Sequence, residues 1–264
     1  MDEATDAAKG VRDGAIGWLV FENQAKLNAI SGKMVGEALE IISGYESDPS
    51  IRVVILRGAG DRAFISGGDI SQFEKTRFHA GSAAAGREKS DQLRKKLVNI
   101  NKPVIAMIHG YCLGGGMAIA LCADLRFGST TSQLGIPAAL RGLAYPPSAL
   151  KLLLDLVGTS VAKDIMMSGR RLKADEASRV GLLNQVYPQE DLERETVIYA
   201  NCIAANAPLS IRASKFSINQ LGLEDSQRDY AEMQRMLDEA ANSEDFREAT
   251  RSFMEKRKPV FRGI

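Results

Sequence analysis

Short β-branched apolar runs alternate with longer stretches of three-and-four spacing through the first half of the chain. GAIGWLVFEN (residues 14–23) and IRVVILRGAG (residues 51–60) are compact and bounded by turn residues, the pattern of buried strands. Between them, SGKMVGEALEIISGYESD opens on Ser31, a candidate N-cap, and sets Met34, Ala38, Ile41 and Ile42 on one helical face. A third strand, PVIAMIHG (residues 103–110), follows the charged helical stretch GREKSDQLRKKLVNINK. Strands alternating with helices predict an α/β class. Beyond about Tyr187 the strand signals fade and helical periodicity takes over, which divides the chain into an α/β core over 1–195 and a helical region over 196–264. In that region Tyr230, Met233, Leu237 and Ala240 form an apolar stripe, read as intrachain core with a subunit interface as the alternative.

Charge and cysteine content narrow the class. Lys and Arg number 34 against 33 Asp and Glu, so a net charge of +1 provides no global field to draw in nucleic acid or an anionic membrane. Cys112, Cys122 and Cys202 make no CxxC pair, and an odd number argues against a disulfide framework, which suits a reducing, cytoplasmic setting. The opening MDEATDAAKGVRDG lacks the basic, apolar, small-residue order of a signal peptide. No apolar run reaches the roughly 20 residues of a spanning helix, so a soluble protein is expected.

Candidate chemistry begins with glycine. GYCLGGGMAIALCAD (residues 110–124) joins a strand-like run to a helix-like one through three consecutive glycines. At such a join the first N–H groups have no intrahelical partner, and the helix dipole favours an anion or a developing oxyanion. The spacing of Gly110, Gly114, Gly115 and Gly116 does not fit a dinucleotide fingerprint, and Gly32-Lys33-Met34 does not fit a phosphate loop. The alternative is close packing of the helix on its neighbours. AFISGGDIS (residues 63–71) supplies a second glycine pair after a strand, so that two loops could each aim one N–H at a single oxygen.

Six stretches in order, FENQAKLNAIS, VVILRGAGDRAFISGGDIS, PVIAMIHGYCLGGGMAIALCADLRFGS, LGIPAALRGLAYPPSALKLLLDLVG, LKADEASRVGLLNQVYP and SFMEKRKPVFRG, span almost the whole chain. As an ordered set they resemble the enoyl-CoA hydratase/isomerase, or crotonase, superfamily. That resemblance implies a crotonase-like spiral of ββα units followed by a C-terminal helical trimerisation region, assembled as a homotrimer or homohexamer. It implies acyl-CoA thioester substrates, with coenzyme A as part of the substrate and no separate cofactor. By motif position, the N–H groups of Gly68 and Gly115 would form an oxyanion hole. Ser66, Asp69, Ile70 and Ser71 would line the thioester channel with Gly68. Lys26 would lie near the CoA phosphates, and Phe253 and Lys256 would reach CoA from the C-terminal region. The alternative for Lys26 and Lys256 is a solvated surface lysine, and Asp69 and Asp124 read as turn holders.

One departure stands out. Hydratases of this family use two glutamates, and the matching positions here are Ala118 and Ala138. A positioned acid or base is worth roughly 10²–10⁴ in rate, so the two-glutamate hydration mechanism is not assigned. Arg141, Tyr145, Ser148, Glu74, His79 and His109 are the polar groups near the motifs, with His109 read as structural and Glu74 and His79 as a solvated face. No G-x-S-x-G elbow and no His/Cys metal spacing is present. Three readings stay open: an enoyl-CoA hydratase or isomerase with unusual acid/base groups, a thioesterase or decarboxylase, and a non-catalytic acyl-CoA-binding protein.

Overall fold

A computed structural model describes residues 5–69 and 80–264. Its frame is a six-stranded sheet in the order β1-β2-β3-β5-β7-β10: β1 (Ala7–Asp13), β2 (Ile16–Glu22), β3 (Val53–Gly58), β5 (Val104–Ile108), β7 (Leu125–Ser129) and β10 (Gln185–Tyr187). Only the β1–β2 hairpin is antiparallel; the other four pairings are parallel. A second sheet consists of three-residue strands in the order β4 (Ala63–Ile65), β6 (Tyr111–Leu113), β8 (Gln133–Gly135) and β9 (Arg171–Lys173).

The two sheets are fed alternately. β3 and β4 precede helix α2 (Ala80–Asn99), β5 and β6 precede α3 (Gly115–Ala120), and β7 and β8 precede α4 (Pro147–Ser168), which breaks at Gly158. Each ββα unit thus adds one strand to each sheet before turning into a helix, the spiral expected from the resemblance. The strand composition follows from this burial, because a parallel sheet covered on both faces has no polar side. All five residues of β5 are buried. Val54, Leu56, Val104 and Ala106 pack on one face with Met34, Ala38 and Ile42 of α1 (Gly32–Ser47). Val53, Ile55, Ile105 and Met107 alternate to the other face and pack under Leu192, Ala200 and Ala204 of α6 (Leu192–Ala204). Between α4 and α6 lies the short α5 (Ala174–Arg179). The Ser31 cap is made, its hydroxyl accepting the Met34 N–H at 3.2 Å.

Helix α6 runs through residue 195 and packs on the sheet, and every described element after Tyr187 is helical. Beyond it come α7 (Pro208–Leu221), α8 (Tyr230–Ala241) and α9 (Glu244–Met254). The stripe on α8 needs correction. Met233 and Met236 are buried, whereas Tyr230 and Leu237 are more than half exposed. The buried face is centred on the two methionines, and Tyr230 and Leu237, seven residues apart, share an edge that the chain leaves uncovered. Among the described residues no helix is long and apolar enough to cross a membrane.

Candidate active site

Two glycine loops meet at the junction of the sheets. In the first, Ile30 bridges to the extended run around Gly68: its N–H donates to Gly67 O at 2.8 Å, and its carbonyl accepts the Asp69 N–H at 3.0 Å. Successive peptide groups of an extended run alternate sides. With Gly67 and Asp69 committed to Ile30, the Gly68 N–H faces the other way, and it has no acceptor among the described residues.

The second loop gives each of its three glycines a different task. Gly114 has φ +50° and ψ −107°, a left-handed conformation that a side chain would strain. A Cβ on Gly115 would lie 3.2 Å from Gly68 N, so its bareness lets the two loops touch. A Cβ on Gly116 would fall 2.1 Å from the Ile65 carbonyl oxygen, so that residue seats α3 directly on β4. Close packing and an exposed N–H are therefore both present, on neighbouring residues. The Gly115 N–H, at the start of α3, likewise has no protein acceptor among the described residues.

Around Gly68 the loop is tied at several points. Lys26 Nζ meets the buried Asp69 carboxylate at 2.8 Å, and Ser66 Oγ donates to Lys26 O at 3.1 Å. The ion pair ties Asp69 to Lys26, while half of the Lys26 side chain stays exposed. Sequence reasoning assigned no role to Asn28, which is buried with φ +56°. Its amide donates to Ala59 O at 2.9 Å and Ala63 O at 2.8 Å, and its carbonyl oxygen accepts the Asn23 N–H at 2.9 Å. An asparagine tolerates a left-handed backbone and offers both donors and an acceptor, which is the available signal in QAKLNAIS. Ile70, Ser71, Glu74 and His79 lie outside the described residues.

Ala118 and Ala138 are both buried. Ala118 sits one turn into α3, its N–H on Gly114 O at 3.0 Å, and Ala138 accepts the N–H groups of Arg141 and Leu143 at 3.0 Å each. Among the candidate substitutes, Arg141 and Ser148 are exposed. Tyr145 is partly buried and donates its hydroxyl to Gly114 O at 2.9 Å, and burial pushes its phenol above the ordinary tyrosine range. His109 is buried, its Nε2 has no hydrogen-bond partner among the described residues, and burial first and the Arg57 charge second lower its pKa to about 4. Its imidazole is neutral at physiological pH. Burial also raises Cys122 to about 12 and Cys112 further, so neither thiol beside the glycine motif is a ready nucleophile. Among the described residues no group of three or more His, Cys, Asp or Glu could hold a metal.

Phe253 and Lys256 end α9 and its following turn, both exposed, and no described hydrogen bond or ion pair joins them to Lys26, Ser66 or the glycines. The structure thus gathers Lys26, Ser66, Gly68, Asp69 and Gly115.

The family model for enoyl-CoA hydratase/isomerase matches residues 12–263. A short-chain-enoyl-CoA hydratase of Clostridium acetobutylicum is 31% identical over 250 residues, covering 94% of each chain. A carnitinyl-CoA dehydratase of Proteus mirabilis is 32% identical, covering 92% of this chain and 94% of its own. Among solved structures, an enoyl-CoA hydratase/carnithine racemase from Magnetospirillum magneticum superposes with a TM-score of 0.91 at 32% identity, covering 98% of this chain and 97% of that one. Matched along nearly its whole length in sequence, and built as the same spiral, the chain belongs to the enoyl-CoA hydratase/isomerase family.

Proposed function

We propose that this chain is an enzyme of acyl-CoA thioesters that holds the thioester oxygen between the N–H groups of Gly68 and Gly115. The observation that carries this is the contact of two glycine loops, each presenting a backbone N–H with no acceptor among the described residues. An enolate or a tetrahedral intermediate places negative charge on that oxygen. Two fixed donors stabilise it without reorganising, and losing one typically costs about 3–4 kcal/mol of barrier. The acyl-CoA relatives support the substrate class. Coenzyme A arrives with the substrate, so no separate cofactor enters this reading. Lys26 and Ser66 brace the channel wall, and the exposed Phe253 and Lys256 would reach CoA from the C-terminal region. The exposed apolar residues of the last three helices favour a homotrimer or homohexamer, and the reduced-cysteine composition favours the cytoplasm.

The buried alanines at 118 and 138 favour a second reading of the same site, thioester cleavage or decarboxylation, which does not require two glutamates. A single set of assays separates the cases. Purified protein is given 2-enoyl, 3-enoyl and malonyl-type thioesters, and conjugation is followed by ultraviolet absorbance, free thiol by a colour reagent, and carbon dioxide by trapping. Turnover in any channel, reduced at least a hundredfold by Gly68→Pro, is the expected result. Saturable binding with background rates in all channels would replace the enzyme with an acyl-CoA-binding protein, and absence of binding would remove the substrate class.

A further inference from the structure

The Gly114 carbonyl and the Gly115 N–H are two ends of one peptide group. Because that group is planar, whatever fixes the carbonyl also aims the N–H. The Gly114 oxygen accepts two hydrogen bonds, from the Ala118 N–H at 3.0 Å and from Tyr145 Oη at 2.9 Å. The first belongs to the helix. The second comes from a side chain 31 residues away, on the segment between Ala138 and α4.

Three features fit Tyr145 to this role. Gly114, with no Cβ and φ +50°, offers little steric resistance to rotation of the peptide that follows it, so an outside anchor has something to hold. Tyr145 is itself held: it packs partly buried against the main core, and Pro146 and Pro147 follow it. A residue before proline is confined to extended conformations. Its hydroxyl proton is committed to the carbonyl, and burial keeps the phenol protonated, so it is a constant donor. A hydrogen bond received at the carbonyl draws charge through the amide and strengthens its N–H, by about 10–30% per bond.

We propose that Tyr145 is a positioning residue of the oxyanion hole, setting the plane and donor strength of the Gly115 N–H through the peptide they share. The proposal rests on the assignment of Gly68 and Gly115 as the oxyanion donors. Tyr145 touches no reacting atom in this scheme, and its effect is read through the ligand's carbonyl.

The test uses cinnamoyl-CoA, whose absorbance moves to longer wavelength, and whose carbonyl stretch falls, when the thioester oxygen is polarised. Wild-type protein is expected to show both shifts on binding. Tyr145→Phe keeps the ring and is expected to reduce both by about a third to a half, with CoA affinity within about twofold and kcat on any turned-over thioester down about tenfold at similar KM. Fluorotyrosine placed at position 145, a stronger donor of nearly the same shape, is expected to enlarge the shifts. That graded response serves where the phenylalanine variant folds poorly, because loss of packing alone would not produce it. Undiminished shifts in folded Tyr145→Phe, or fluorotyrosine without effect, would overturn the role of Tyr145 while leaving the oxyanion hole standing. No shift in the wild type would overturn the oxyanion assignment itself, and the proposal with it.

Discussion

Gly115 and Gly116 are adjacent, yet an alanine at each should fail differently. At Gly116 the new methyl would meet the Ile65 carbonyl at 2.1 Å, and backbone inside the junction of two sheets has nowhere to move. Gly116→Ala is expected to destabilise by about 3 kcal/mol, read as a lower midpoint in urea unfolding. At Gly115 the methyl would stand 3.2 Å from Gly68 N, a contact that a shift of a few tenths of an ångström relieves. Gly115→Ala should keep most of its stability while losing the polarisation of a bound thioester. Equal losses of stability in the two variants would contradict this division. His109 carries the second expectation at this scale. Unfolded, its imidazole takes a proton near pH 6.5; buried, it resists until about pH 4. Between those values the unfolded chain binds more protons, so stability is full above about pH 6.5, falls as the pH drops toward 4, and levels off below. The loss approaches roughly 3 kcal/mol. His109→Gln should flatten the acid limb of a stability–pH curve, and an unchanged limb would assign the titration elsewhere.

The helices differ in what fastens them. α7 is pinned to the sheet by Lys215, whose Nζ bonds Asp124 Oδ2 at 2.8 Å and Lys102 O at 2.9 Å in a nearly buried position. Asp124 also accepts the Val104 N–H at 2.7 Å, so one carboxylate joins the start of β5, the end of the glycine motif and the helical region. Asp124→Ala would leave the ammonium buried with one carbonyl for company, at a cost of about 3 kcal/mol. Adding Lys215→Met removes the stranded charge and should recover a part of that loss, whereas additive costs would mean that the pair is not coupled. This is also the scale at which sequence and structure diverge. The long buried strands at residues 16–22, 53–58 and 104–108 and the Ser31-capped helix were legible because their apolar spacing is set by burial on known faces. The second sheet was not, since three residues are too few to show a period of two, and each of its strands takes its meaning from partners far along the chain. β1 escaped notice because among the described residues it pairs with β2 alone and most of its residues are exposed, so its composition is polar. At the site, the glycine loops were legible as motifs, but the reach of Tyr145 to Gly114, and of Asn28 to Ala59 and Ala63, is visible only once the fold has closed those separations.

For the molecule as a whole, each of the last three helices carries exposed apolar side chains. Ile218 and Leu221 on α7, Leu237 on α8, and Phe246 and Phe253 on α9 are each more than half exposed. Apolar side chains scattered singly need no explanation, whereas five on three successive helices make this region the candidate for contact between copies. The alternative role for the α8 stripe, contact between copies, fits Tyr230 and Leu237 better than an intrachain core does. Assembly could also give the exposed Phe253 and Lys256 a route to the channel of a neighbouring copy. Two measurements test this together. Sedimentation is expected to give the mass of three or six chains, and Leu237→Asp with Phe246→Asp to shift it toward the single chain without unfolding it. If Phe253 and Lys256 act across an interface, the dissociated variant should also bind acyl-CoA more weakly while a short acyl thioester lacking the nucleotide still shows its carbonyl shift. A dissociated chain that binds acyl-CoA as well as the assembly would confine the whole site to one subunit and return Lys256 to an ordinary surface lysine.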